Sequence, residues 1–265
     1  MIDSELSFTG ERLHEDEALF GIDLLRHLAA YQEAIQIAHE YRARDVLELG
    51  SGTGYGTRTL AEALPRVVAI DRVAPLAAGR ESAARFLRAD LEAIPLEDEA
   101  FDLVVSFQVI EHLADPTNFL DALARPLRTD GVALLSTPNR TNSDGENPFH
   151  LHEYEREELR TLLETRFESV EIRGVSARGE ALRYHEERLR RIRRILRIDP
   201  LGLRRWIPRA LVEWLFARLA LVVRRRMAAG GGMPRARPAD FLIEGAHPAS
   251  LDLFAVCRGP RRARP

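Results

Sequence analysis

An acidic residue followed by alternate glycines is the feature of this sequence best suited to chemistry. Glu48 lies two residues before Gly50, and Gly52 and Gly54 follow at alternate positions. Glycines at this spacing let the backbone turn tightly and leave bare main chain against a ligand. A helix predicted over Tyr55–Ala63 would direct its N-terminal amides at the same space. The spacing does not fit the G-x-G-x-x-G of dinucleotide-binding turns, and a carboxylate here would repel a pyrophosphate but suits a cationic ligand with an ammonium group. The stretch predicts either that ligand site or a plain strand-to-helix connection.

A second acidic residue favours the ligand site. Asp71 ends the β-rich run Arg66–Asp71, about 20 residues beyond the glycine turn, where a carboxylate can accept hydrogen bonds from both hydroxyls of a ribose. A solvent-facing strand end is the alternative. The E-x-G-x-G-x-G stretch resembles motif I of the class I S-adenosylmethionine-dependent methyltransferases. The resemblance implies S-adenosylmethionine as cofactor, with its amino-acid part at the turn and its adenine beside Asp90 and Leu91. The implied cofactor-binding residues are Glu48, Gly50, Ser51, Gly52, Gly54, Asp71, Arg72, Asp90, Leu91, Gln108, Arg12 and Tyr31.

The segment after the fourth predicted strand carries side chains suited to the methyl acceptor. Glu111 and His112 follow the apolar run 103–107, and ligands bind beyond the carboxyl ends of the strands in open parallel sheets. A hydroxyl acceptor has to lose a proton, and imidazole titrates near neutrality. His112 is therefore the predicted base and His150 the second choice, with a helix-start role as the alternative. The predicted acceptor-contacting residues are Glu111, His152 and Asn139. The set His150, His152 and Glu153 could also hold a metal, but no further ligand stands at matching spacing, and no metal is predicted.

Alternating strand and helix patterns position these residues. Helices are predicted over 21–41, 55–63, 74–84, 115–127 and 155–167, and strands over 46–49, 66–71, 103–107, 132–137 and 168–175. Such alternation is typical of right-handed βαβ winding. The predicted fold class is α/β: a Rossmann-like doubly wound seven-stranded sheet, parallel except for an antiparallel seventh strand over 251–257. A helical insertion precedes that strand.

The predicted organisation has five parts. They are an N-terminal lid and helix over 1–42, a cofactor-binding core over 43–177, a basic helical insertion over 178–239, terminal strands over 240–258 and a disordered tail over 259–265. Between Arg178 and Arg226, 15 arginines stand against 5 acidic residues, whereas the rest of the chain has a net charge of −13. The positive charge is therefore concentrated in the insertion.

The insertion has three interpretations. Its first predicted helix carries an apolar stripe of Leu182, Leu189, Ile192 and Leu196, and a second is predicted from about residue 208, with Trp206 and Trp214 nearby. A helical cap on the core, or a homodimer contact, with a solvated arginine face is favoured. Basic amphipathic helices bearing tryptophan also lie on anionic membranes, which is the second interpretation. Nucleic-acid binding is the least favoured.

Composition sets the remaining expectations. The chain has 265 residues, a formal net charge of −3 and one cysteine, Cys257, which excludes an internal disulfide and fits a reducing compartment. Its first residues lack the apolar run of a secretory signal, and no stretch reaches the length of apolar sequence that a spanning helix needs. A cytoplasmic location is expected, with peripheral contact at the inner membrane face.

The N-terminal region suggests the class of acceptor. The stretch F-T-G-E-R at 8–12, together with His27 and Tyr31 on one helix face, resembles the lid of sugar- and natural-product-modifying methyltransferases. The resemblance implies O-methylation of a hydroxyl on a sugar, glycan or glycosylated metabolite, which could be lipid-linked. The alternatives are N- or C-methylation of a small metabolite and a non-catalytic S-adenosylmethionine-binding protein. A nucleotide-dependent oxidoreductase would need the missing G-x-G-x-x-G.

Overall fold

A computed structural model describes residues 21–76, 82–91, 93–94, 96–143, 147, 149–196 and 235–262. Its α-helices are α1 (Gly21–Glu40), α2 (Tyr55–Ala63), α3 (Thr117–Ala124), α4 (Arg156–Glu164) and α5 (Gly179–Leu196). Its strands are β1 (Asp45–Leu49), β2 (Arg66–Asp71), β3 (Arg85–Arg88), β4 (Phe101–Phe107), β5 (Leu127–Pro138), β6 (Phe167–Ala177), β7 (Phe241–Gly245) and β8 (Asp252–Pro260). The N-terminal motif with Arg12, both tryptophans, the second predicted insertion helix and the last three residues of the tail lie outside the described residues.

The strands form one sheet in the order β3-β2-β1-β4-β5-β8-β6-β7. The pairs from β3 across to β5 are parallel, whereas β8 runs antiparallel between β5 and β6, and β7 runs antiparallel along the edge of β6. The predicted Rossmann-like sheet with an antiparallel last strand is confirmed, and β7 adds an eighth strand at its edge. The strand order reverses between β1 and β4, and such a switch point is where open α/β sheets bind ligands.

Helices cover both faces of the sheet because successive strand side chains point to opposite faces. In β4, Leu103 and Val105 pack with the helices α1 and α2 on one face, and Val104 packs with α3 and α4 on the other. All three side chains are fully buried. The apolar runs that predicted central strands are therefore strands covered from both sides.

Two predicted elements differ from the structure. The helix predicted over 74–84 is absent from its described parts, where 74–76 have no regular structure and 82–84 form a bend. The predicted start of the fifth strand at 132 is also wrong, since β5 begins at Leu127 and runs through the expected turn at Gly131. A Cβ at Gly131 would lie 2.8 Å from the carbonyl oxygen of Asp102, so a glycine lets β4 and β5 approach closely beside the irregular register at Phe101.

The first insertion helix is confirmed as α5, and its predicted apolar stripe is wrong at Leu182 but right at Leu189. The side chains of Ile192 and Leu196 lie outside the described part of the structure. Leu182 is 37% exposed, whereas Ala181, Tyr184 and Leu189 are buried. Arg188 pairs with Asp23 of α1 at 3.0 Å, and this contact turns the Tyr184 side of α5 inward. Among the described residues, none of the helices has both the length and the apolar character that crossing a bilayer requires.

Candidate active site

The glycine turn between β1 and α2 has the conformation that its sequence predicts. Gly50, Gly52 and Gly54 have φ angles of +85°, +54° and +89°, a region that side chains other than glycine rarely adopt. A Cβ at Gly50 would collide with the Val109 side chain, whereas a Cβ at Gly52 would meet no described atom within 4 Å. The turn is therefore backed by protein at Gly50 and open at Gly52. Ser51 is buried, and its backbone amide donates to the Ile70 carbonyl at 3.2 Å.

Glu48 lies beneath this turn with both carboxylate oxygens engaged. It is 1% exposed; the Tyr31 hydroxyl donates to Oε1 at 2.5 Å, and the Thr57 hydroxyl donates to Oε2. Burial raises the pKa of Glu48, and these two hydrogen bonds partly offset that effect. Glu48 thus joins α1, β1 and α2 below the turn, and its direct contact with a ligand stays a prediction.

Tyr31 acts through Glu48 in this arrangement. Its ring is buried, packs edge-on against Phe107 at 4.9 Å, and occupies the space that a Cβ at Gly56 would need. Its α1 neighbour His27 places Nδ1 2.8 Å from the Tyr55 hydroxyl. The predicted pairing of His27 and Tyr31 on one helix face is confirmed, and that face packs against the start of α2.

Asp71 lies at the open side of the turn. Its carboxylate accepts hydrogen bonds from the Gly52 amide at 2.8 Å and from the Val73 amide at 3.0 Å. A carboxylate held here, beside a turn open at Gly52, fits a ligand that offers hydroxyl donors and an ammonium group. This agrees with the ribose and amino-acid parts of S-adenosylmethionine.

The other residues predicted for the cofactor occupy varied positions. Arg72 and Asp90 are exposed, and the Arg72 carbonyl accepts from Arg88 at 2.8 Å. Leu91 is 9% exposed and packs into the core below β4. Gln108 follows β4 with a φ of +57°, an unusual backbone conformation of the kind that clusters at functional sites.

A histidine pair lies beyond the carboxyl end of β4. His112 Nδ1 is 3.0 Å from the Phe149 carbonyl oxygen, and His150 Nδ1 is 2.6 Å from Glu153 Oε1. The two imidazole rings meet edge-on with their centroids 5.2 Å apart. The 149–152 segment is docked there because the amides of Leu151 and His152 both donate to the Glu111 carbonyl, at 2.7 and 3.2 Å.

Glu111 is the third member of this cluster. Its side chain is fully buried, and Thr137 donates to Oε2 at 3.0 Å. Within the described part of the chain, Oε1 has no hydrogen-bond partner. Burial raises the pKa of Glu111, and the proximity of His112 and His150 acts in the opposite direction. One ligand atom from each of the three side chains lies within 4.8 Å of the other two. We call Glu111, His112 and His150 the histidine–glutamate cluster.

Two predicted acceptor residues do not join the cluster. The His152 side chain is 43% exposed and bonds Glu158 at 2.6 Å, so the metal set of His150, His152 and Glu153 considered from sequence is not assembled. Asn139 is buried, its Nδ2 donates to the Ser250 carbonyl at 2.8 Å, and its Oδ1 accepts from the Thr141 amide. The Asn139 side-chain amide is therefore hydrogen-bonded to the chain's own backbone, and its contact with an acceptor stays a prediction.

Asp252 is a site residue that sequence reasoning missed. It opens β8, is 2% exposed, and lies opposite Pro138 at the end of β5. Its carboxylate is 3.3 Å from Arg26 Nη1, and Gln108 and His150 are near enough to affect its pKa, which burial raises. Because β8 runs antiparallel to β5, its first residue lands at the carboxyl edge of the parallel strands, which no local spacing reveals.

Comparison with known proteins shows the family of this chain. A family model described as a methyltransferase domain matches residues 47–135. A probable S-adenosylmethionine-dependent methyltransferase of Mycolicibacterium smegmatis is 42% identical over 183 residues, which cover 65% of this chain and 69% of that protein. A protein of Mycobacterium tuberculosis with the same description is 40% identical over 166 residues, 60% of each chain. A solved S-adenosylmethionine-dependent methyltransferase of Thermotoga maritima has the same fold, with a TM-score of 0.54, 15% identity and coverage of 89% of this chain and 91% of that chain. The chain belongs to the S-adenosylmethionine-dependent methyltransferases.

Proposed function

We propose that the chain transfers the methyl group of S-adenosylmethionine to a hydroxyl of a sugar, a glycan or a glycosylated metabolite. The observation that carries this proposal is the histidine–glutamate cluster at the carboxyl edge of the sheet, next to the glycine turn. A hydroxyl oxygen that attacks the methyl carbon must lose its proton as the carbon–sulfur bond breaks. Two histidines at this position can take up that proton.

The hydrogen bonds of His112 support a role in removing that proton. The Phe149 carbonyl can only accept, so Nδ1 of His112 carries the hydrogen and Nε2 of the neutral ring carries the lone pair. The Nδ1 of His150 faces the carboxylate of Glu153 in the same way. Burial alone would raise the pKa of Glu153, but hydrogen bonds from His150 and Ser143 bring it below its usual value. His112 is the first proposed proton acceptor and His150 the second.

Cofactor alignment accounts for the rest of the proposed chemistry. The turn from Gly50 to Gly54 would hold the amino-acid part of the cofactor, and Asp71 would hold its ribose, so that the methyl group points toward the cluster. Transfer is an in-line displacement, for which alignment and exclusion of water supply most of the acceleration.

Methyl transfer to extracted acceptors tests the proposal. Labelled S-adenosylmethionine is incubated with the protein and with separated lipid and aqueous extracts, and the labelled product is treated with enzymes that cleave glycosidic bonds. Label on a sugar oxygen is expected, and label confined to a nitrogen or carbon would contradict it. His112→Ala should lower turnover by about 10²-fold or more and leave the affinity for S-adenosylhomocysteine unchanged; unchanged turnover would reject His112 as the base.

The outer side of α5 supports a lipid-linked acceptor. Arg183, Arg190 and Arg194 are exposed along this helix, beside the partly exposed Leu182. Arginines near an anionic membrane contribute about 1 kcal/mol each, so we propose that this side rests on anionic lipid. The inner side, with Tyr184, is the helical cap that the sequence also favoured.

Liposome flotation tests the membrane proposal. The protein is expected to float with vesicles containing phosphatidylglycerol, to stay below neutral vesicles, and to release in high salt. Replacing the three arginines with glutamine should weaken binding by about two orders of magnitude. A protein that binds neither type of vesicle and elutes as a homodimer would contradict the membrane proposal. That result would favour contact of this side of α5 with a second copy of the chain.

A further inference from the structure

We propose that the histidine–glutamate cluster is a binding site for one divalent transition-metal ion, with Glu111, His112 and His150 as its protein ligands. The inference deepens the proposed function, since an ion here would lie where the acceptor hydroxyl is activated. The binding site itself stands on contacts of this chain and does not depend on the identity of the acceptor.

The first argument is the unpartnered oxygen of Glu111. The carboxyl group is fully buried, and only Oε2 is engaged, by the Thr137 hydroxyl. Its other oxygen, Oε1, has no hydrogen-bond partner among the residues that the structure describes. Burying a carboxylate is costly unless it is paired or binds a metal, and a divalent ion beside Oε1 would supply the missing interaction.

The second argument is the orientation of the two histidines. A metal-bound histidine usually donates its other ring N–H to a carboxylate or a backbone carbonyl, which fixes the nitrogen that faces the metal. His112 makes this contact with the Phe149 carbonyl, and His150 makes it with Glu153. In both rings a protein oxygen accepts from Nδ1–H, so Nε2 is the nitrogen whose lone pair an ion would bind.

The third argument is the size of the cluster. One donor atom from each side chain lies within 4.8 Å of the others. Neighbouring donors in a tetrahedral zinc site are about 3.4 Å apart, because the bonds are about 2.0–2.2 Å long. Small rotations of the three side chains would bring their donor atoms from within 4.8 Å to about 3.4 Å of one another. The Asn147 amide, which now donates to His150 Nε2 at 2.8 Å, would give up that bond to the ion.

The donor set selects the class of ion. Two imidazoles and one carboxylate suit zinc, iron(II) and similar first-row ions, whereas magnesium and calcium prefer oxygen donors. Three protein ligands leave a coordination position open for water or for an acceptor hydroxyl. A coordinated hydroxyl releases its proton to solvent more readily, because the ion lowers its pKa. The oxygen then attacks the methyl carbon, and the electron pair of the broken bond stays on sulfur. In a protein that holds the ion, release of the hydroxyl proton to solvent replaces direct transfer of that proton to His112.

Metal binding is measured on the full chain after removal of metals with a chelator. Zinc is titrated by calorimetry, and cobalt(II) is titrated by visible absorption as a spectroscopic probe of coordination. We expect one ion per chain, cobalt bands typical of low coordination number, and a zinc-dependent rise of several degrees in Tm. Glu111→Gln keeps the shape of the side chain and the Thr137 contact, and should weaken zinc binding at least tenfold; His150→Ala should do the same.

His152→Ala is the matched control, because His152 is two residues from His150 but lies outside the cluster. This variant should bind zinc as the unmodified chain does. Equal zinc binding by the Glu111→Gln and His152→Ala variants, or no zinc binding by the unmodified chain, overturns the proposal. Since none of these readouts involves methyl transfer, a chain that binds zinc without methylating sugars would refute only the proposed function. A chain that methylates sugars without binding zinc would refute only the metal site.

Discussion

Deleting the Tyr31 hydroxyl tests whether Glu48 is held as the structure indicates. Tyr31→Phe keeps the buried ring against Phe107 and removes only the donor to Glu48 Oε1. A hydrogen bond to a charged group contributes about 1.5–3 kcal/mol. At pH 8 the variant should therefore lose about that much of its free energy of unfolding, which corresponds to a fall of roughly 3–12 °C in Tm for a chain of this size.

The loss should depend on pH in a defined direction. Burial places the pKa of folded Glu48 above its ordinary value of 4.5, so the folded state holds a proton that the unfolded state releases. Stability therefore falls as the pH rises from the unfolded toward the folded pKa. Without the Tyr31 donor the folded pKa rises further and the fall continues to higher pH. Near pH 4.5, where Glu48 is protonated in the folded state, the cost should shrink to that of a neutral hydrogen bond, about 0.5–1.5 kcal/mol.

Denaturant unfolding at pH 4.5, 6 and 8 measures these differences. Tyr41→Phe is the matched control, because the Tyr41 hydroxyl accepts a hydrogen bond from Arg258 in a partly exposed position. The control should lower the free energy of unfolding by less than Tyr31→Phe does at pH 8, because water can replace the lost partner at a partly exposed site. Its cost should be the same at every pH, because arginine stays protonated throughout this range. If Tyr31→Phe costs no more than the control, or costs the same at all three pH values, the Glu48 network does not support the turn as described.

Further predictions concern the cofactor site and acid stability. Asp71→Ala should weaken S-adenosylhomocysteine binding by about 1.5–3 kcal/mol, and unchanged affinity in calorimetry would remove its ribose role. Gly50→Ala should destabilise the fold more than Gly52→Ala, since both have positive φ but only the first meets Val109; equal losses in thermal unfolding would contradict this reasoning. Burial, followed by the charge of a neighbouring arginine, lowers the pKa of His27 from 6.5 to about 3, so protonation favours the unfolded state. Its contribution to stability is present above pH 6.5 and is lost as the pH falls toward 3. The full pKa shift corresponds to a loss of about 2 kcal/mol between pH 7 and 5. Because the ring is partly exposed to solvent, the measured loss should be smaller than that. His27→Gln should lack it, and identical pH profiles from denaturant unfolding would show that the imidazole stays accessible to protons.

The sequence alone was sufficient where structure depends on neighbouring residues. The glycines at 50, 52 and 54 occupy positive φ angles that the backbone sterics of other residues disfavour, and the helix after them begins where predicted, at Tyr55. Apolar runs such as that of β4 predict buried central strands because both faces of a parallel sheet are covered. The placement of Glu111 and His112 beyond β4 followed from the same rule.

Tertiary structure decided what depends on distant segments of the chain. Helical periodicity did not reveal that Tyr184 faces inward and Leu182 outward, since the contact of Arg188 with α1 selects the side of α5. The polar stretch 138–152 is where the sequence is least informative, because it has no periodic pattern. His150 meets His112 because the amides of Leu151 and His152 bind the Glu111 carbonyl, which no local pattern predicts.

The sequence by itself determined the strand–turn–helix unit, the winding of the sheet and the candidate residues at its carboxyl edge. Only the tertiary structure decided which of those side chains meet. Asp252 reaches the site because β8 is inserted antiparallel between β5 and β6. Tertiary packing fully buries Glu111, and one of its oxygens has no hydrogen-bond partner in the described residues. The physical reason is that local sterics and periodicity act between near neighbours, whereas burial and side-chain pairing depend on strand order and on segments far apart in the chain.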